Sequence, residues 1–161
     1  MTNDKTKILF GGLRVVKSNI QYYWSDAWLL LAIIYASSGG DATLERIIAT
    51  GDAIEHAIFN PEELESGFCR LTGGSFIKEK DGVFSATDKV MKAYAKTTTP
   101  RRSIAKEMED TERFLSAKSY PSVPNPENNL RYSEFSMESY ERAVSKYIEA
   151  AGKYAERPRK R

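Results

Sequence analysis

The apolar residues at positions 28–35 follow one another without a polar face. A helix that is apolar on every side is buried inside a core. Ser25 can cap this helix, and the negative charge of Asp26 suits its first turn. Two serines and two glycines at positions 37–40 end it. The pattern therefore predicts a central, fully buried helix.

Two amphipathic helices are predicted next. Asp41 or Thr43 can open the first, because apolar residues then recur at near-helical spacing. Asn60 is a favoured helix cap and Pro61 is tolerated at the first helical position, so they open the second, which ends at glycines 73–74. The apolar stripes comprise Leu44, Ile47, Ile48, Ile54 and Ile58 in the first helix and Leu64, Phe68 and Leu71 in the second.

After position 74 the period changes from helical to extended. Residues 76–80 and 83–86 form two short runs that flank Asp81 and Gly82. This dipeptide favours the tight turn that matches the twist of paired strands. We therefore predict a β-hairpin, followed by a helix that opens at Thr87.

A further helix is predicted from Ser103, which can act as its N-cap. Its apolar stripe lies along residues 104–115, and its other side is charged. Lys106 with Asp110 and Glu109 with Arg113 are spaced for ion pairs one turn apart. The pattern predicts one solvated face and one packed face.

The last predicted helix begins at Ser136, after a connection at residues 120–129 that three prolines keep extended. Its apolar residues recur at alternating spacings of three and four, the heptad pattern of a coiled-coil seam. The seam comprises Met137, Tyr140, Val144, Tyr147, Ala151 and Tyr154. It predicts docking onto a second copy, giving a homodimer, or onto the stripe at residues 104–115 of the same chain.

Composition narrows the class of protein. With 41% hydrophobic and 29% charged residues, the chain has the composition of a soluble globular protein. Its longest apolar run, residues 27–36, is half of what a membrane helix needs, so no membrane span is expected. Cys69 is the only cysteine, which excludes an internal disulfide and favours the cytoplasm. The net charge of +2 is uneven, because residues 25–97 are acidic and both ends are basic.

The order of three helices, a hairpin and a helix over residues 26–96 resembles a winged-helix domain. The stretch from Pro61 to Leu71, followed by Ser75, Phe76 and Ile77, is similar to the third helix and wing of MarR-like and PadR-like regulators. In those families a threonine after the second strand caps the next helix, as Thr87 can here.

The resemblance implies a mainly α fold with a small β-hairpin. It divides the chain into an N-terminal arm at residues 1–24, a winged-helix domain at residues 25–97 and a helical extension with a basic tail at residues 98–161. Winged helices of these families bind DNA as dimers, with the third helix in the major groove and the wing against phosphates.

Basic residues supply the candidate DNA contacts. Lys78 and Lys80 lie on the first strand of the predicted wing, and the others lie on the third helix, after the fourth helix and in the tail. The candidate phosphate contacts are Arg70, Lys78, Lys80, Arg101, Arg102, Arg157 and Arg159. They predict weak, salt-sensitive binding without base recognition.

The outward face of the third helix has a different character. The residues expected there are Glu62, Glu65, Ser66, Cys69 and Gly73. Glutamates near the start of a recognition helix would meet phosphates with like charge, whereas DNA readers usually present Arg, Lys, Asn or Gln. This acidic face favours the alternative function, a winged-helix protein-interaction module that binds no nucleic acid.

Catalytic and metal chemistry are not indicated. His56 is the only histidine, and no nucleophile is paired with it by a recognisable motif. The sequence has no Walker loop, no dinucleotide fingerprint and no cysteine pair with zinc spacing. We therefore expect no enzyme activity, no cofactor and no metal site.

Overall fold

The structure, a computed structural model, describes residues 20–117 and 135–155. These residues form six helices and one antiparallel hairpin, which confirms the predicted mainly α fold with a small β-hairpin. The elements are α1 (Trp24–Ser38), α2 (Leu44–Glu55), α3 (Pro61–Gly73), β1 (Ile77–Lys80), β2 (Val83–Ala86), α4 (Asp88–Thr97), α5 (Ile104–Leu115) and α6 (Met137–Ala155). Within the described ranges, no helix is both long enough and apolar enough to cross a bilayer.

Helix α1 is the centre of the core, as its uninterrupted apolar run predicted. Residues 27–34 are buried, and the helix packs against α2, α3, α5 and β2. The prediction that Ser25 caps it is wrong, because the helix already begins at Trp24. The backbone N–H of Tyr23 donates instead to the Asp26 carboxylate at 2.9 Å. A buried carboxylate thus fixes the start of the central helix.

The connection between α2 and α3 is held by an aromatic stack. Phe59 is fully buried, and its ring lies 3.7 Å from that of Trp28, centroid to centroid. The Trp28 indole N–H donates to the Gly51 carbonyl at 3.0 Å. A Cβ at Gly51 would overlap the Phe59 ring, so only glycine lets α2 approach this closely.

Three helices, α2, α3 and α5, begin with the predicted capping residues. The Thr43 side chain accepts from the N–H of Arg46 at the start of α2. Asn60 and Glu63 exchange two hydrogen bonds of 2.8 and 2.9 Å, a capping box that opens α3. The Ser103 side chain accepts from Lys106 N–H at 3.3 Å at the start of α5. Local hydrogen bonding therefore fixes three helix starts.

The hairpin forms as predicted. Asp81 and Gly82 both have positive φ, 53° and 76°, as the two-residue turn requires. Ala42, in the segment before α2, pairs with Phe84, whose N–H donates to the Ala42 carbonyl at 3.0 Å. Thr87 directly precedes α4, as predicted, but the prediction that its side chain caps the helix is wrong. Its hydroxyl donates instead to the Ser75 carbonyl at 3.0 Å and joins the two ends of the hairpin. Hydrogen bonds therefore hold β2 against the segment before α2 and join the residues that precede β1 and follow β2.

The charged face of α5 pairs differently from the prediction. Lys106 contacts Glu109 at 2.8 Å, and Arg113 contacts Asp110 at 3.3 Å, so both pairs are three residues apart rather than four. Asp110 also forms an ion pair with Arg102, which precedes the helix. Asp110 thus pairs with Arg102 and Arg113, and Lys106 pairs with Glu109.

Candidate nucleic-acid interface

The exposed face of α3 is acidic. Glu62 and Glu65 are exposed, while Ser66 and Cys69 are partly buried. Gly73, expected on this face, is buried, and a Cβ there would lie 3.4 Å from Ile20. That part of the prediction is wrong, because the segment before α1 covers the end of α3.

Arg70, the one basic residue of α3, is engaged within the fold. Its guanidinium contacts both carboxylate oxygens of Asp26 at 2.8 Å, through Nε and Nη2. Asp26 is fully buried, and the Arg70 side chain is 24% exposed. The guanidinium also lies 4.8 Å from the centre of the Tyr23 ring. The positive charge of Arg70 thus balances a buried carboxylate, and its role as a phosphate contact stays a prediction.

Lys78 and Lys80 lie on the outer face of the hairpin. Both are exposed, and they face Ser85 and Val83 across the strands. Glu79 alternates to the other face, where its carboxylate accepts from Gly82 N–H at 2.7 Å. The only hairpin acid between the two lysines is therefore turned away from them.

Three more lysines form a row along α4. Lys89, Lys92 and Lys96 are exposed and are spaced by three and four residues, so they share one helix face. Val90 is buried on the opposite side. The prediction for this interface named none of the three, although the i, i+3, i+7 spacing is visible in the sequence.

The remaining predicted cations are in different environments. Arg101 is exposed, whereas Arg102 pairs with Asp110 and is partly buried. Arg157 and Arg159 lie outside the described residues. The structure therefore leaves Lys78, Lys80 and Arg101 as exposed members of the predicted set.

These positions divide the charge of the chain into two parts. Residues 44–73, which include α2 and α3, contain two basic and six acidic residues. Residues 77–102, which include the hairpin and α4, contain seven basic and three acidic residues. The basic part follows the expected recognition helix in the sequence and does not include it.

The predicted dimer seam on α6 is largely used within the chain. The Tyr140 hydroxyl donates to the Phe59 carbonyl at 2.8 Å, and the Tyr147 hydroxyl donates to the Asp52 carboxylate. Val144 packs against the same core. The partner element is α2, not the predicted stripe at residues 104–115.

Two other seam residues are exposed. Met137, at the start of α6, and Ala151, near its end, both lie at the surface. The side chain of Tyr154 lies outside the part of the chain that the structure describes. Ile148, which the seam did not include, is also 56% exposed. Met137, Ile148 and Ala151 therefore give α6 exposed apolar side chains in the described part of the chain.

The single cysteine is partly buried on α3, and the single histidine follows the end of α2. Burial, and then the charge of Glu65, raises the pKa of the Cys69 thiol, which disfavours the reactive thiolate. His56 adopts a left-handed conformation, φ 55°, at the end of α2. Over residues 20–117 and 135–155, no three His, Cys, Asp or Glu side chains are grouped to hold a metal ion.

No family model, curated protein or solved structure matches this chain.

Proposed function

We propose that the chain is a winged-helix protein that associates with nucleic acid through phosphate contacts from the hairpin and α4. The row of Lys89, Lys92 and Lys96, together with Lys78 and Lys80, carries this proposal. The order of α1, α2, α3 and the hairpin supports the winged-helix part, as does the bridge between the segment before α2 and β2.

Phosphate contact without base recognition suits this surface. Lysine is a compact point charge that attracts phosphate, and such contacts carry no sequence information. The acidic face of α3, with Glu62 and Glu65, would be repelled in a groove lined by phosphates. We therefore expect binding that is sequence-independent and strongly weakened by salt.

The test is a titration of labelled duplex DNA at several salt concentrations. Replacing Lys89, Lys92 and Lys96 with alanine removes three charges from α4. Each lost phosphate contact makes the negative slope of log K against log salt less steep by about 0.9. The matched control replaces Lys106, Lys146 and Lys153, whose side chains pair with acids on α5, α2 and α6.

The two variants have the same net charge, so their comparison separates local contact from total charge. We expect a clear loss of slope and affinity only in the α4 variant. Equal losses in both variants would contradict a localised interface. Absence of DNA binding by the wild-type chain at low salt would overturn the proposal.

A protein-interaction module is the second candidate function. The exposed glutamates of α3 favour it, as do Tyr23 and Trp24, whose side chains are 53% and 45% exposed before and at the start of α1. Aromatic residues are enriched at protein interfaces. This candidate requires no DNA binding, so the titration above distinguishes the two functions.

A homodimer also remains a proposal, now carried by the exposed surface of α6. Met137 and Ile148 are 55% and 56% exposed, and large apolar residues on one helix favour a partner helix. Sedimentation of the wild type and of Ile148→Lys measures this. A dimeric wild type and a monomeric variant would support the proposal, and a monomeric wild type would refute it.

A cytoplasmic location is likewise part of the proposal, based on the single cysteine.

A further inference from the structure

A small cavity lies between α1, α4 and α5, away from the exposed lysines. Its volume is about 70 Å³, and it is open to solvent on one side. Leu30 and Ile34 of α1, Val90 and Ala93 of α4 and Phe114 of α5 give it mostly apolar walls. Because one water-sized atom needs roughly 10–15 Å³ by this measure, the cavity has room for about five non-hydrogen atoms.

One wall of this cavity carries a buried carboxylate. Glu107 is 6% exposed, and its Oε2 accepts hydrogen bonds from the hydroxyls of Tyr35 and Tyr94, the latter at 3.1 Å. Burial and the hydrogen bond to Glu107 raise the pKa of Tyr35, so this phenol remains a donor over the physiological range. Oε1 has no hydrogen-bond partner among the residues that the structure describes.

The surroundings of Glu107 leave its negative charge without a cation. Asp110, another acid that lines the cavity, pairs with Arg102. None of the described lysines or arginines pairs with Glu107. Because Oε1 is not among the buried side-chain atoms that lack a hydrogen-bond partner, solvent reaches it from the open side of the cavity. A cation or a further donor that enters the cavity can therefore meet this oxygen of a largely buried carboxylate.

We propose that this cavity binds a small organic cation, a primary ammonium with a short alkyl chain. The ammonium donates to Oε1 of Glu107, and the alkyl chain lies against the apolar walls. A four-carbon amine has five non-hydrogen atoms and fits the volume. This site uses the inner side of α4 and is independent of the nucleic-acid proposal.

The experiment compares n-butylammonium with n-butanol by calorimetry and by ligand-detected NMR. The two probes have similar shape, but only the first is charged. Charge-assisted hydrogen bonds contribute about 1.5–3 kcal/mol, so we expect the amine to bind about tenfold to a hundredfold more tightly. Glu107→Gln should remove this preference while Tyr35 and Tyr94 can still donate to the amide oxygen.

A cavity-filling variant tests the location without changing charge. Ala93→Leu places extra carbons in the cavity and should abolish binding of the amine. Ala95→Leu is the matched control, because Ala95 is exposed on the same helix and should leave binding unchanged. Equal affinities for amine and alcohol, no binding by the wild type, or unchanged binding after Ala93→Leu would each overturn the proposal.

Discussion

Helices α3 and α4 flank the same hairpin, and both turn an apolar side inward, but their charged residues serve opposite purposes. In α3, of 13 residues, the one arginine points to a buried aspartate, and the exposed charges are glutamates. In α4, of 10 residues, the lysines are exposed on the side away from Val90. The same kind of charge thus stabilises the core from α3 and lies at the surface on α4.

The difference has a simple electrostatic cause. Asp26 is needed at the start of α1, where its carboxylate accepts the N–H of Tyr23, and this position is fully buried. A buried charge must be paired, and Arg70 is the residue that α3 brings within reach. The buried carboxylate next to α4, Glu107, accepts hydrogen bonds from the hydroxyls of Tyr35 and Tyr94 instead, and the lysines of α4 lie at the surface.

Removal of the α3 arginine is expected to give the largest effect. Arg70→Met leaves the Asp26 carboxylate buried without its cation, which should cost roughly 3 kcal/mol of unfolding free energy. Urea unfolding measures the loss. The double variant Asp26→Asn with Arg70→Met should lose less, because no charge is then buried. A loss below about 1 kcal/mol in the single variant would show that the guanidinium is dispensable for folding.

Removing charge from the exposed face of α4 should weaken nucleic-acid binding, whereas removing charge from the exposed face of α3 should change it little. The double variant Lys92→Gln with Lys96→Gln should make the negative slope of log K against log salt less steep by up to about 1.8, because two phosphate contacts are lost. Glu62→Gln with Glu65→Gln should change the slope little. A larger effect from the α3 pair would reverse the comparison and make α3 the contact helix. Fluorescence anisotropy with duplex DNA at several salt concentrations checks both.

Alkaline pH should weaken the side of the core next to α3. Burial, followed by the charge of Asp26, raises the pKa of Tyr22 to about 12, from about 10 in the unfolded chain. The folded state therefore holds this proton more tightly, and its stabilising effect is complete below pH 10. The effect is lost as the pH rises from 10 to 12.

Urea unfolding at pH 9 and pH 11 measures that loss. Tyr22→Phe should reduce it, since phenylalanine has no proton to lose, and the aromatic contact with Phe76, 5.3 Å between ring centres, is retained. Identical pH dependence in the wild type and the variant would assign the alkaline loss to other groups.

The smallest effect is expected from a single lysine of α4. Lys92 is exposed and has no ion pair within the described part of the chain, so Lys92→Ala should change the unfolding free energy by less than about 0.5 kcal/mol. Thermal unfolding of this variant beside Arg70→Met gives the contrast directly. A loss as large as that of Arg70→Met would mean that the lysine row is structural.

Much of the fold could be predicted, because its signals are local. The hairpin turn at Asp81 and Gly82 and the caps at Thr43, Asn60 and Ser103 depend on residues within one turn of each other. The continuous apolar run of α1 likewise predicted its burial correctly. The start of α1 was predicted wrongly. The Asp26 carboxylate accepts the N–H of Tyr23, so the helix begins before Ser25.

Less of the candidate site could be predicted. Arg70 looked available because its partner, Asp26, is 44 residues away in the chain. Tyr147 was predicted to lie in a coiled-coil seam, because its actual hydrogen-bond partner, Asp52, is 95 residues away in the chain and no local pattern indicates the contact. The spacing of the α4 lysines was visible, but which lysines remain exposed depends on how α4 packs.

The sequence by itself determined most helix starts, the hairpin turn and the apolar positions of each element, since hydrogen bonding and hydrophobic period act between near neighbours. Only the tertiary structure decided which charges neutralise one another, which helix covers the α6 stripe and where Glu107 lies. Those outcomes depend on contacts between residues far apart in the chain, and no local pattern specifies what lies opposite a given face.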